Sequence, residues 1–148
     1  MSPYFETMTL DMLPDILPIE QKSYPVGWSQ QIFTDCINKQ YLCKVMKLGQ
    51  QIIGYYVVQV ILDEHHILNV CVTPELLGQG LGRMQLQVII AEATSNNMNR
   101  ILLEVRASNK VARKLYTSSD FHIIGKRKGY YPLGDGREDA HVMELALS

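Results

Sequence analysis

The hydrophobic pattern changes period once in the middle of the chain. From Ile67 to Val72 the residues are apolar and largely β-branched, which suits a buried strand. Thr73 and Pro74 end that run, because proline has no N–H to give to a ladder. Beyond Gly78, Gly80 and Gly82 the apolar positions take helical spacing. Leu81, Met84, Val88 and Ala91 form one stripe, and Leu86, Ile89, Ile90 and Ala93 lie beside it. A strand, a glycine turn and a helix start in that order leave several backbone N–H groups unpaired at the positive end of a helix dipole. Such groups suit an anion, typically a pyrophosphate. The same glycines also make a tight turn that lets a helix pack close to a strand, and the pattern alone leaves both readings open. Gly78-Gln79-Gly80-Leu81-Gly82 lacks the spacing of the dinucleotide fingerprint, and no Gly-Lys-Ser/Thr is present to make a P-loop.

The rest of the chain falls into elements around this unit. Tyr4 to Leu10 reads as an opening strand. Asp11 reads as the cap of a helix through Met12, Leu13, Ile16, Leu17 and Ile19, with Pro14 in its first turn. After a break at Ser23 to Gly27, Ser29 caps a short helix with Ile32, Phe33, Cys36 and Ile37 inward. Runs at Tyr41 to Leu48, Gln51 to Leu62 and His65 to Val72 are separated at hairpin spacing, as in an antiparallel meander. Arg100 to Arg106 is a further strand, and Ser108-Asn109 caps a helix through Val111, Ala112, Leu115 and Tyr116. Phe121 to Arg127 and His141 to Leu147 close the chain as strands, with a loop of Gly, Pro, Asp and Tyr between them. The order is β-α-α-β-β-β-α-β-α-β-β, an α/β architecture with a mixed, largely antiparallel sheet flanked by helices.

Length and composition narrow the class. At 148 residues the expectation is a single domain over 1–148, with ordinary globular composition at 47 % hydrophobic and 20 % charged. A net charge of −1 gives no global case for nucleic acid or an anionic membrane. No apolar run reaches membrane-spanning length, and the N-terminus has no basic region followed by an apolar one. Cys36, Cys43 and Cys71 read as reduced thiols of a cytoplasmic protein, not as a disulfide framework or a zinc site. His65 and His66 are neighbours on a strand and point to opposite faces, so no shared metal is expected. Lys126-Arg127-Lys128 could attract an acidic or RNA-bound partner, although three charges are more often a solvated strand end.

This order, with its glycine turn after the fourth strand, resembles the GNAT superfamily of acetyl-coenzyme A-dependent N-acetyltransferases over essentially the whole chain. That superfamily carries Arg/Gln-x-x-Gly-x-Gly/Ala at its pyrophosphate turn. Here Leu77-Gly78-Gln79-Gly80-Leu81-Gly82 keeps both glycines and has leucine at the first position. Leu103-Glu104-Val105-Arg106-Ala107-Ser108-Asn109, Tyr116, Tyr130-Tyr131-Pro132 and Asp135-Gly136-Arg137-Glu138-Asp139-Ala140 are similar to the RimI-type branch, which acetylates the N-terminal alanine of a ribosomal protein. One departure is Pro25-Val26-Gly27-Trp28-Ser29, where that branch has Pro-Trp-Ser directly.

The resemblance implies acetyl-CoA as co-substrate, without a metal. It assigns Val70, Cys71, Val72, Gly78, Gln79, Gly80, Leu81, Gly82, Arg83 and Asn109 to its binding. Glu104 becomes the proton acceptor and Tyr116 the acid that protonates the leaving thiolate. From the residues alone, Glu104 is either a half-buried base whose burial raises its pKa, or a polar-face glutamate paired with Arg106. Tyr116 is either that acid or a core residue with its hydroxyl at the rim. Tyr130 and Tyr131 are expected on a loop as a wall for the incoming peptide, against a reading as turn and packing residues. The implied partner is the N-terminal segment of a small-subunit ribosomal protein, with no direct nucleic acid, no membrane and a monomeric state. Two rivals stay open: acetyl transfer to lysine or a small-molecule amine, and a non-catalytic acyl-CoA-binding module.

Overall fold

A computed structural model of the chain describes residues 2–147. Its strands are β1 (Tyr4–Thr7), β2 (Leu42–Leu48), β3 (Gln51–Ile61), β4 (Glu64–Val72), β5 (Arg100–Arg106), β6 (His122–Leu133) and β7 (Gly136–Ala146). Its helices are α1 (Leu13–Ser23), α2 (Gln30–Asn38), α3 (Leu81–Ser95) and α4 (Lys110–Ser118). The seven strands are ordered β1-β2-β3-β4-β5-β7-β6. Pairs β1–β2, β2–β3, β5–β7 and β6–β7 are antiparallel, whereas β4 and β5 are parallel. Parallel neighbours need a long crossover, and α3 supplies it. Contacts group the chain into two compact units: residues up to Gln59 with Leu68–Val88, and Val60–Ile67 with the chain from Ile89 onward.

The first unit packs α1 and α2 on the meander. Leu13, Ile16, Ile19, Phe33 and Cys36 from the helices meet Cys43, Val45, Ile52, Tyr55, Val57 and Cys71 from the strands. From Ile52 to Val58, β3 is buried on both faces, which explains its near-continuous apolar run. The Phe33 ring lies edge-on to Trp28 and Tyr55, at centroid distances of 5.1 and 5.7 Å. Ser29 caps α2 as expected, accepting from the Ile32 N–H at 3.3 Å. Asp11 does not cap α1. It lies inside a short 3₁₀ turn, Leu10–Met12, where its carboxylate accepts the Thr9 hydroxyl, and α1 begins after Met12.

In the second unit, β5 alternates. Ile101, Leu103 and Val105 are buried on one face, and Arg100, Leu102, Glu104 and Arg106 share the other. Asn109 caps α4, accepting from the Ala112 N–H at 3.2 Å. Val111 on this helix is exposed. At about 100° per residue it sits roughly 140° around the helix from buried Tyr116.

The largest difference from expectation is the C-terminal hairpin. Instead of ending at Arg127 and resuming at His141, the strands continue to a two-residue turn, Gly134-Asp135, closed by Leu133 opposite Gly136. Gly134 has φ +55, the left-handed conformation such turns need. Pro132 is tolerated because β6 ends the strand order and has an open edge. A register shift between Arg127 and Tyr131 takes up the extra residues as a bulge. Tyr130 and Tyr131 therefore belong to a strand and not to a loop.

Candidate active site

In the first unit, β4 ends at Val72, and the Thr73 N–H donates to the Ile53 carbonyl at 2.8 Å. A 3₁₀ turn, Pro74–Leu76, leads into the glycines. Gly78 and Gly80 both have positive φ, +81 and +80, and a Cβ built on either meets nothing within 4 Å. The backbone there is contorted with open space in front of it, and α3 starts at Leu81. The Met84 amide donates to the Gly80 carbonyl at 3.1 Å. Helix geometry leaves the amides at the start of α3, those of Leu81 and Gly82, without an acceptor in the helix. Two left-handed glycines before a helix start make a concave set of donors suited to a phosphate. Gln79 and Arg83 are exposed beside it.

The β4 residues before this turn are fixed from the side. The Tyr24 hydroxyl donates to the Val70 carbonyl at 2.7 Å, and Gln85 Nε2 donates to the Cys71 carbonyl at 2.8 Å. Gly54 makes room for that second bond, since a Cβ there would collide with Gln85 and the Cys71 carbonyl. The Val70 and Cys71 carbonyls are thus both supplied with side-chain donors. Burial pushes the Cys71 thiol up, so it stays protonated and is no nucleophile.

Glu20 on α1 organises the same unit from inside. It is buried, and its Oε1 accepts from the Tyr55 hydroxyl at 2.7 Å and from Asn69 Nδ2 at 2.9 Å. Its Oε2 accepts from the Trp28 N–H at 2.9 Å, which ties down the Pro25-Val26-Gly27-Trp28-Ser29 segment. A Cβ at Gly27 would come within 2.8 Å of Glu20 Cγ.

The second unit holds the chemical groups. Glu104 is half-buried, and Arg127 Nη1 donates to its Oε1 at 3.0 Å. Its Oε2 is buried and has no hydrogen-bond partner among the described residues. Arg106 is not its partner: that guanidinium donates to Glu138 and to the Pro132 carbonyl, each at 3.0 Å. Both arginines lie over tyrosine rings, Arg127 over Tyr130 at 3.9 Å and Arg106 over Tyr131 at 4.5 Å. The two rings meet edge to face at 4.9 Å. Burial first, and the Glu104 charge second, push the Tyr131 hydroxyl up to about 12, so it is neutral at physiological pH. Tyr116 is buried on α4 with its ring 5.7 Å from that of Phe121.

Glu104, Tyr130 and Tyr131 are thus brought into one cluster, while Asn109 and Tyr116 occupy the two ends of α4. Arg127, read from the sequence only as part of the charged run Lys126-Arg127-Lys128, pairs with Glu104, and the Glu20–Asn69–Tyr55 group is one that spacing did not single out. The model of the acetyltransferase (GNAT) family matches residues 11–121. The chain belongs to that family. GNAT acetyltransferases use acetyl-CoA, and the glycine turn and helix start are suited to its pyrophosphate. The ribosomal protein bS18-alanine N-acetyltransferase of Escherichia coli (strain K12) is 38 % identical over 136 residues, 92 % of each chain. The protein of the same name from Haemophilus ducreyi is 34 % identical over 143 residues, 96 % of this chain and 99 % of its own. The crystal structure of the ribosomal-protein-S18-alanine N-acetyltransferase from Escherichia coli superposes with a TM-score of 0.92 at 35 % identity, covering 99 % of this chain and 95 % of that one. Among the described residues no group of His, Cys, Asp and Glu is placed to hold a metal, and no helix is long and apolar enough to cross a membrane.

Proposed function

We propose that the chain transfers the acetyl group of acetyl-CoA to the N-terminal α-amine of a protein, and that this acceptor begins with alanine and belongs to the small ribosomal subunit. The observation that carries this reading is its near-full-length identity to bS18-alanine N-acetyltransferases. Chemistry agrees with it. An α-amine with a pKa near 7.7–8.0 is roughly a tenth free base at pH 7, against well under a thousandth for a lysine near 10.4. A single carboxylate base therefore has a far easier task on an N-terminus.

In this reading the pyrophosphate of acetyl-CoA lies on the amides from Gly78 to Arg83. The amides of Val70 to Val72 meet the pantetheine arm and polarise the thioester carbonyl, and Asn109 steadies the same arm. Glu104 takes a proton from the acceptor ammonium, directly or through a water. The free amine then attacks the thioester carbon, the C–S bond breaks, the Tyr116 hydroxyl gives its proton to the departing thiolate, and the extra proton on the acylated nitrogen returns to the tyrosine. Tyr130 and Tyr131 border the path of the acceptor peptide. The protein acts as a single acetyltransferase domain, as a monomer, in the cytoplasm.

The test is acetyl-CoA turnover on a short peptide beginning with alanine, beside the same peptide with a blocked N-terminus and one internal lysine. Acetylation of the free N-terminus alone is the expected result. Acetylation of the blocked peptide would move the function to lysine. Binding of acetyl-CoA with no turnover on either would favour a small-molecule acceptor or a sensor.

A further inference from the structure

We propose that Arg127 is a positioning residue for the acetyl transfer: it occupies Oε1 of Glu104 and fixes the carboxylate so that Oε2 is the oxygen offered to the acceptor. The inference rests on Glu104 being the general base, and its argument is geometric. On one face of the second unit's sheet, Glu104 lies opposite Val142, which lies opposite Gly125. The next row on that face is Arg106, Ala140 and Arg127. Arg127 must therefore reach across the whole width of β7 to meet Glu104. Gly125 has no side chain and Ala140 only a methyl, so the diagonal from Arg127 to Glu104 passes beside Val142 over small residues.

An exposed ion pair alone would mean little, since such pairs are often worth under about 1 kcal/mol. This arginine is held at its other end too. Its guanidinium stacks on Tyr130, Tyr130 leans edge-on against Tyr131, and Tyr131 supports Arg106, which is committed to Glu138 and the Pro132 carbonyl. The bulge between Arg127 and Tyr131 is what brings both tyrosines beneath the arginines. The remaining charges on this face are engaged with one another further along β5, where Arg100 bridges Glu64 and Glu144, and His66 contacts Glu64 at 3.0 Å. That leaves Arg127 as the cation that orients Glu104. The two carboxylate oxygens are consequently unlike: one is occupied, and the other is buried without a donor. A buried acceptor without a partner is costly, and an incoming amine or water supplies one. Arg127 thus acts through Glu104 and does not touch the reacting atoms.

The experiment is steady-state kinetics of Arg127→Gln, Arg127→Lys, Glu104→Gln and the Arg127→Gln/Glu104→Gln double variant on the alanine-starting peptide, with thermal melts of each. We expect Arg127→Gln to lower kcat about 10- to 100-fold, the scale of a misplaced catalytic group, with KM for acetyl-CoA unchanged. Lysine, which can still meet Oε1, should recover most of that loss. In the Glu104→Gln background the Arg127 change should cost less than twofold. The proposal is overturned if Arg127→Gln keeps kcat within twofold, or if it costs the same with and without Glu104, which is how a purely structural role would behave. If Glu104→Gln itself keeps full kcat, the general-base reading fails, and that result is separate from either outcome for Arg127. Because Arg127 is about half exposed (52 %), folding should survive both substitutions, and the lysine variant alone still decides between rescue and none.

Discussion

Glu20 accepts from Tyr55 and Asn69, partners 35 and 49 positions away in sequence, and from the Trp28 amide. Removing one donor leaves part of a buried carboxylate unpaired. Tyr55→Phe should therefore destabilise the fold by about 1–3 kcal/mol, read as a lower urea midpoint with unchanged slope. Gly27→Ala should cost a similar amount through its collision with Glu20, with the same readout. At Glu104 the expected effect is on rate: Glu104→Gln should lower kcat at least 100-fold while acetyl-CoA affinity by calorimetry stays within twofold. At this scale the sequence was legible where a role needs only near neighbours in the chain, as with the caps Ser29 and Asn109. It was not legible where a role depends on distant partners. Nothing near Glu20 in the chain reveals its three donors, and nothing near Glu104 reveals Arg127, which is 23 residues on and two strands away.

The strand, glycine turn and helix from Ile67 to Ala93 were readable because period, proline and glycine all point the same way. The helix runs on only to Ser95. The turn also yields a prediction. Gly80 has φ +80 and open space where a Cβ would stand, so Gly80→Ala adds strain without a clash. A left-handed alanine costs roughly 1–2 kcal/mol, and relaxation of the turn would redirect its amides. The expected result is acetyl-CoA affinity weakened about tenfold by calorimetry, with kcat unchanged at saturating acetyl-CoA. Spacing failed at the C-terminal hairpin. Gly129, Pro132 and Gly134 look like loop punctuation, yet an open edge accommodates the proline and a bulge accommodates the extra residues. Asp11 misled for a related reason: a capping residue three positions before a proline reads as a helix start, but the turn here is a separate 3₁₀ element.

For the molecule as a whole, the element order and the mixed sheet followed from the alternation of periods, while strand order and register required the fold itself. Two buried histidines on β4 and β7 set an acid limit. Burial lowers the affinity of His65 for a proton, and burial together with Arg113 and Lys126 lowers that of His141. The unfolded chain, with histidines near 6.5, takes up protons first as pH falls. Stability from these groups is therefore fully present above about pH 6.5 and is lost below it. Urea midpoints at pH 7.5 and pH 5.5 should differ in that sense, and His65→Leu should shrink the difference.

The borders between the two compact units fall inside β3, β4 and α3, after Gln59, Ile67 and Val88. Each border interrupts a hydrogen-bonded element and none is a linker. A protease site engineered after Gln59 should expose raw strand edges and send the cleaved chain into aggregates. The same insertion between Gly134 and Asp135 lies at a hairpin tip and leaves both strands whole, so that chain should stay soluble after cutting.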